Sequence, residues 1–406
     1  MNRKYIFITF SIVEVGGSQI YVDKKKSALE SCGWEVYVFS ANQGHIIIDG
    51  LRDCEKYIDF RYGAPPVSFS KKTRHRIVNN LIDTIGMAEE MIIESHSGIM
   101  GMWGELLAEK LHATHLLYSI EEKCTSLNAS HLKFLQFKWE QKALAGITPT
   151  VLKHFFESQG IIIKEEQSYC LRAYGNSSLE DVPTAIQMPS GLETIGLMGR
   201  LEKAFMYPTA LSIAEYINNR QDRRFNVLVV GGGSKADINK IQSCFKGLTN
   251  CNLIMTGHLF PVPDALVSQV SVMVSSSGSC SLSRRVGVPT ISIDGNDLKP
   301  IGVLGYTTNQ ILFRKEERPV ELADLLDDIL EEKIYKKEIK PFEPLKPDYT
   351  SHKQFVDGIN MNMGYYDIDT ITIPSTYIIK MRLKRMLRRL VGYKRYEQLS
   401  KMKVNV

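Results

Sequence analysis

The chain has 406 residues, 44% of them apolar and 23% charged, with a formal net charge of +5. That length exceeds one compact core and suits two domains, and the composition is ordinary for a soluble globular protein. No run approaches the roughly 20 apolar residues of a spanning helix, and the modest net charge gives no reason to expect a nucleic-acid partner.

Residues 1–17, MNRKYIFITFSIVEVGG, are basic and then apolar, as in a leader. The apolar run ends in Glu14 and a Gly-Gly turn with no small-residue cleavage site, so KYIFITFSIV is expected to be a buried first strand. GGSQIYVDKKKSALESCG then reads as loop and helix, and WEVYVFSA as the next strand. A helix from Ile77 to Glu90, the strand MIIES, the helix GELLAEKLHA and the strand THLLYSI follow. FKWEQKALAGITPTVLKHFFESQG is expected to be helical, broken by a short strand at ITP. After Pro189-Ser190-Gly191 the alternation restarts with ETIGLMGR, FNVLVVGGGS, CNLIMTG, VSVMVSSS and PTISID as strands, and it closes on the helix VELADLLDDILEE.

Strands alternating with helices imply parallel sheets covered on both faces. The expected fold class is α/β, with two Rossmann-like doubly wound domains, residues 1–187 and 188–345, and a cleft between them. Residues 346–406 form an extension, opened by the Pro- and Lys-rich KPFEPLKPDY. From Lys380 to Lys403 this extension carries ten Lys and Arg against Glu397 alone, with Ile378, Ile379, Leu383, Met386, Leu387 and Leu390 at near-helical intervals. Such a basic amphipathic segment, residues 376–406, fits either an anionic membrane surface or a helix packed on the protein by its apolar side. The seven cysteines lack C-x-x-C spacing, which argues against a disulfide framework and a zinc site and suits a reducing cytoplasm.

Ligands of open parallel sheets bind beyond the carboxyl ends of the strands, and five stretches fall there. Gly16 and Gly17 open the first helix, where glycine and free N–H groups can meet phosphate or sugar oxygens, or simply make a turn. His96 ends the MIIES strand and could contact a sugar hydroxyl or move a proton. Arg200 and Lys203, in GRLEK, could clamp a diphosphate, unless Arg200 is a surface residue paired with Glu202. Gly232 lies in the GGGS turn after FNVLVV. Ser277, Gly278, Ser279 and Ser281 begin a helix whose hydroxyls and N–H groups suit a phosphate, or merely cap it. Of Arg284 and Arg285 further along, at most one can face the same way as the turn.

In order and spacing, GGSQ, the histidine of ESHSG, GRLEK, VLVVGGGS and RRVGVPTISID resemble the bacterial GT-B glycosyltransferases of the family-4 type. The resemblance implies retaining transfer of a sugar, hexosyltransferase-like, from a nucleotide-sugar donor held mainly by the second domain. It implies a diphosphate near Arg200 and Lys203, GGSQ approaching phosphates or acceptor, and His96 contacting the donor sugar as the catalytic candidate. Neither a metal nor a cofactor is implied, because basic side chains and helix N-termini neutralise the leaving diphosphate. The sequence departs from the pattern twice. The family's lysine five residues past the arginine is Phe205 here, and its two glutamates, eight residues apart, fall on Val274 and Leu282.

The expected function is synthesis of a bacterial surface polysaccharide on a saccharide or lipid-linked acceptor, by a cytoplasmic protein attached peripherally to the inner face of the membrane. The alternatives are a non-catalytic GT-B subunit that binds or scaffolds a partner transferase, and a nucleotide-sugar epimerase.

Overall fold

The computed structural model describes residues 2–13, 15–121, 124–164, 171, 184–335, 349–392 and 396, which fall into two units, Met1–Gly175 with Lys346–Val406, and Asn176–Leu345.

The first unit runs β1 (Arg3–Thr9), α1 (Gly17–Ser31), β2 (Glu35–Ser40), α2 (Lys71–Ile85), β3 (Glu90–His96), α3 (Ser97–Leu111), β4 (Thr114–Ser119), α4 (Ala129–Glu140), β5 (Leu144–Gly146) and α5 (Pro149–Ser158). Its sheet has the order β2-β1-β3-β4-β5, every pair parallel. Tyr5, Ile6, Phe7 and Ile8 of β1 are all buried, because helices cover both faces of a parallel sheet and leave no side for a polar alternation. α2 lies earlier than the apolar pattern suggests. The Ser70 hydroxyl accepts the Thr73 N–H to start it, and Gly86, at φ 65°, lets the chain leave it after Ile85. The short last strand is Leu144–Gly146 and not ITP, since Thr148 and Pro149 already begin α5.

The second unit contains β6 (Glu193–Met198), α6 (Met206–Asn218), β7 (Phe225–Val230), α7 (Lys235–Cys244), β8 (Cys251–Met255), α8 (Asp264–Val267), β9 (Val272–Ser275), α9 (Gly278–Arg285), β10 (Thr290–Ile293), β11 (Pro300–Val303) and α10 (Leu322–Leu330). The sheet order is β11-β10-β9-β6-β7-β8, parallel except for the edge strand β11, which runs antiparallel to β10. Ile195, Leu197, Val227, Val229, Val272 and Val274 from the central strands meet Met206, Ala210, Ile213, Leu326 and Ile329 from α6 and α10 in one core.

The chain then returns to the first unit with α11 (Tyr349–Asp357), and α12 (Ser375–Val391) follows. The return is fastened by specific hydrogen bonds: Trp34 Nε1 donates to Tyr349 Oη at 2.9 Å, Gln141 Nε2 to the Gly364 carbonyl at 2.8 Å, and Tyr366 N to Glu105 Oε1 at 2.8 Å. Ile359, Ile368 and Ile371 are buried along the way. Among the described residues no helix is long and apolar enough to cross a membrane.

Candidate functional site

In the second unit, β9, β6 and β7 lie side by side, so the turns at their carboxyl ends share one edge of the sheet. The turns are tied together. Ser275 Oγ donates to the Met198 carbonyl at 2.8 Å, Gly199 N to the Val230 carbonyl at 3.0 Å, and Leu201 N to the Gly232 carbonyl at 3.0 Å. Gly231, at φ 148°, presses its backbone against Gly199, and a Cβ there would overlap the Gly199 carbonyl. The edge therefore brings together Arg200, Gly232 and Ser277–Ser281, which are far apart in the sequence.

The serine-rich stretch divides into two groups. Ser275, Ser276 and Ser283 are buried and donate inward, Ser276 Oγ to the Ile293 carbonyl at 2.9 Å. Ser277, Ser279 and Ser281 are half-buried at the start of α9, and among the described residues their hydroxyls have no hydrogen-bond partner. Ser277 itself has φ 63° and ψ −145°, a backbone conformation that glycine occupies and other residues adopt only under strain. Ser277→Gly is expected to raise stability by about 1 kcal/mol, the relief of strain less the entropy of glycine. If the hydroxyl faces a ligand, the same variant binds that ligand about tenfold more weakly. Thermal unfolding and calorimetric titration check the two signs together, since a purely structural serine gives the first without the second.

Arg284 and Arg285 point elsewhere. Arg285 Nη2 binds Asp264 Oδ1 at 3.0 Å, and the Arg284 guanidinium lies against Gly305. Both lie in the last turn of α9, where a cation is favoured by the helix dipole. Arg200 is half-exposed and faces Glu202 at 3.2 Å, a surface pairing of small worth that a stronger anion can displace. Lys203 stays in the same turn, its N–H bonded to the Arg200 carbonyl at 3.0 Å. Asp294 is buried and accepts the N–H groups of Asn296 and Arg314 at 2.6 Å each, closing the loop beyond β10.

At the corresponding edge of the first unit, Gly16 is the extended residue before α1, and no side chain caps that helix. Gln19 folds back beneath it and donates to the Ser11 carbonyl at 2.9 Å. His96 ends β3 in the interior. Its Nε2 meets Glu94 Oε1 at 2.9 Å and its Nδ1 meets Thr9 Oγ1 at 3.1 Å. A carboxylate on Nε2 requires an N–H there, and with Thr9 on Nδ1 both ring nitrogens are engaged.

Glu94 is the centre of this network. It accepts from Tyr5 Oη, from Tyr21 Oη at 2.8 Å and from Lys25 Nζ at 2.5 Å, and His352 of the returning segment closes the group 3.4 Å from Lys25 Nζ. Glu94 and Lys25 are fully buried. Burial alone would raise the Glu94 pKa, but the Lys25 charge and the His96 hydrogen bond hold it well below the usual carboxylate range. Burial, reinforced by Lys25, lowers His352 to about 3.

A second buried group lies behind it. Glu105 Oε2 meets His115 Nδ1 at 2.5 Å and Lys138 Nζ at 3.0 Å. Against the cost of burial, Lys138 and His115 lower Glu105 to about 2, and burial with the Lys138 charge lowers His115 to about 4. Among the described residues no group of three or more His, Cys, Asp or Glu is placed to hold a metal ion.

No protein-family model and no curated protein matches the chain. Solved structures do match in fold. A glycosyltransferase from Rickettsia africae is 15% identical, with a TM-score of 0.58 over 89% of this chain and 96% of that one. HepE from Anabaena, in complex with UDP and glucose, is 13% identical, with a TM-score of 0.54 over 89% and 98%. The chain has the GT-B fold. A candidate UDP-N-acetylglucosamine 2-epimerase from Listeria monocytogenes, 14% identical with a TM-score of 0.50 over 90% and 97%, is similar as well.

As a GT-B protein the chain has its peculiarities in the second unit. Phe205, at the position of the expected lysine, is buried with Met206 against Gly199 and belongs to the core. Val274 lies in the middle of that core, and Leu282 packs on the apolar cluster around Val288. Two residues were missed from the sequence. The exposed His258 ring covers Gly232, and only the fold brings the turn after β8 over the turn after β7. Glu94 was passed over inside an apolar strand, although its spacing two residues before His96 puts both on one face of β3.

Proposed function

We propose that the protein is a retaining, metal-independent glycosyltransferase that moves a sugar from a nucleotide-sugar donor to a saccharide or lipid-linked acceptor in surface polysaccharide synthesis. The observation that carries this reading is the second unit's edge, where Arg200, Gly232 and the unpartnered hydroxyls of Ser277, Ser279 and Ser281 stand together. The N-terminus of α9 and Arg200 supply positive potential for a diphosphate, which is the role a metal plays elsewhere. Gly232 and His258 offer a flat surface for a base. Arg200 is free to exchange Glu202 for phosphate, with Lys203 beside it.

On the first unit, Gly16 and Gly17 lie at an uncapped helix start suited to sugar or phosphate oxygens. His96, with both nitrogens held by Glu94 and Thr9, shapes the strand end; proton transfer by it would require release of one of those bonds. The sequence-based expectation of a catalytic imidazole therefore becomes, in this proposal, a positioning role.

A second reading, a GT-B subunit that binds nucleotide without transfer, is favoured by one observation: both expected glutamate positions hold apolar residues. Titration with a panel of nucleoside diphosphates and their sugars, followed by product analysis with and without acceptor, separates the possibilities. Transfer is expected, with Arg200→Ala weakening nucleotide binding about tenfold or more. Binding without turnover selects the subunit reading, and an altered sugar nucleotide without acceptor selects epimerisation. A folded chain that binds no nucleotide sinks all three.

A further inference from the structure

We infer that α12 is an interfacial helix that docks the protein on an anionic lipid surface. The helix is formed, 17 residues long, and contains no buried residue among those whose side chains are described. At 100° per residue, Ile379, Leu383, Met386, Leu387 and Leu390 fall within a single stripe about 100° wide. That stripe faces outward: Ile379 is 56% exposed, Leu383 50%, Met386 51%, Leu387 45% and Leu390 73%. Scattered exposed leucines are ordinary, but five on one helix face form a surface built to be covered.

Charge identifies what covers it. On the same projection Arg382 and Arg389 border the stripe on one side, and Lys380 and Lys384 border it on the other. The six Lys and Arg of α12 face no acidic residue within the helix. A second copy of this helix would bring six more positive charges against them, whereas phosphate headgroups neutralise the flanks while acyl chains take the stripe. The helix is about 25 Å long and too charged to span a bilayer, so it lies in the interface.

Its attachment gives the docking a direction. Thr372, just before the helix, is held at the start of α4, its carbonyl accepting Asn128 Nδ2 at 2.6 Å and Ser130 Oγ at 3.1 Å. The loop leading into α4 contributes Cys124 and Thr125 to a small pocket at the strand ends of the first unit, shared with Ser97, Gly98, Ser119 and Glu121. A membrane-held helix is thus fastened to the loop beside those strand ends, and it would turn them toward an acceptor carried on lipid. This last step rests on the proposed transfer reaction, while docking itself does not.

Flotation of the full chain with vesicles of phosphatidylcholine, with and without one third phosphatidylglycerol, tests the inference independently of activity. Binding is expected to the anionic vesicles only, weakening as salt rises. Leu383→Asp with Leu390→Asp should abolish it. Arg382→Gln with Arg389→Gln should weaken it about 30-fold, from roughly a factor of five per charge. Both variants alter exposed side chains, and unchanged melting curves confirm their folding. Equal flotation with neutral vesicles, no flotation, or indifference to both variants overturns the inference. So does a dimer in sedimentation that the leucine variant dissociates, because the stripe is then a self-interface. If docking holds while no sugar is transferred, only the acceptor step fails.

Discussion

Replacing Lys25 by methionine is expected to lower the unfolding free energy by about 3–5 kcal/mol, the cost of leaving a buried carboxylate without its cation. Lys25 and Glu94 are both fully buried and 2.5 Å apart, so no water can take over the lost charge. Tyr5, Tyr21 and His96 still donate to Glu94, but hydrogen bonds alone do not offset a buried negative charge. The double variant Lys25→Met with Glu94→Gln should lose far less than the sum of the single losses, because it removes the charge and the need for a partner together. Denaturant unfolding of the four proteins measures this cycle.

This network and the Glu105 group together set the response to acid. His352 and His115 have pKa values depressed from 6.5 to about 3 and about 4, so in the folded chain they resist the protons that the unfolded chain accepts. Stability therefore falls as pH drops from about 6.5 toward 3. Glu94 and Glu105, whose pKa values are also depressed, add to the loss below the ordinary carboxylate value of 4.5. The returning segment is held by His352 and by Tyr366 on Glu105, so its hydrogen-exchange protection is expected to decline first. Constant stability down to pH 4 would show that the two groups are not coupled to folding as drawn.

Gly231→Ala is the second large effect, with an expected loss of about 3 kcal/mol or more from the second unit. Its φ of 148° disfavours any side chain, and the new methyl would overlap the Gly199 carbonyl, which is backbone and cannot swing aside. Gly199 is itself confined by the buried rings and chains of Phe205 and Met206. Gly232→Ala makes a useful contrast. Its methyl meets the exposed His258 ring, which can rotate away, so stability should change by about 1 kcal/mol or less while, on the proposed function, nucleotide binding weakens. Calorimetric unfolding and titration of the two variants distinguish a packing glycine from a ligand-facing one. Equal stability losses for both would contradict the geometry.

Strand and helix alternation made both sheets legible in the sequence, because a strand covered on two faces is apolar on both, as Tyr5–Ile8 and Val227–Val230 are. The candidate strand ends of each unit were legible for the same reason: each apolar run stops at Gly16 or His96 in the first unit, and at Arg200, Gly232 or Ser277 in the second. Local signals failed where a turn chemistry competed with periodicity. Ser70 and Gly86 moved α2 toward the N-terminus, and Pro300–Val303, not among the expected strands, supplies β11 because β10 offers it a free edge.

The sequence by itself determined which residues lie at strand ends, that Ser375–Val391 is basic and amphipathic, and that Phe205, Val274 and Leu282 stand where the resembled family has charged residues. Only the tertiary structure decided how those residues are used. Register and strand order put Arg200, Gly232 and Ser277 on one edge, and burial closed both nitrogens of His96 around Glu94 and Thr9. The fold also turned the apolar face of α12 outward, where the sequence allowed either side. Periodicity records which side chains avoid water, but partners distant in the chain, such as Lys25 and His352, meet only when the whole sheet and its returning segment are assembled.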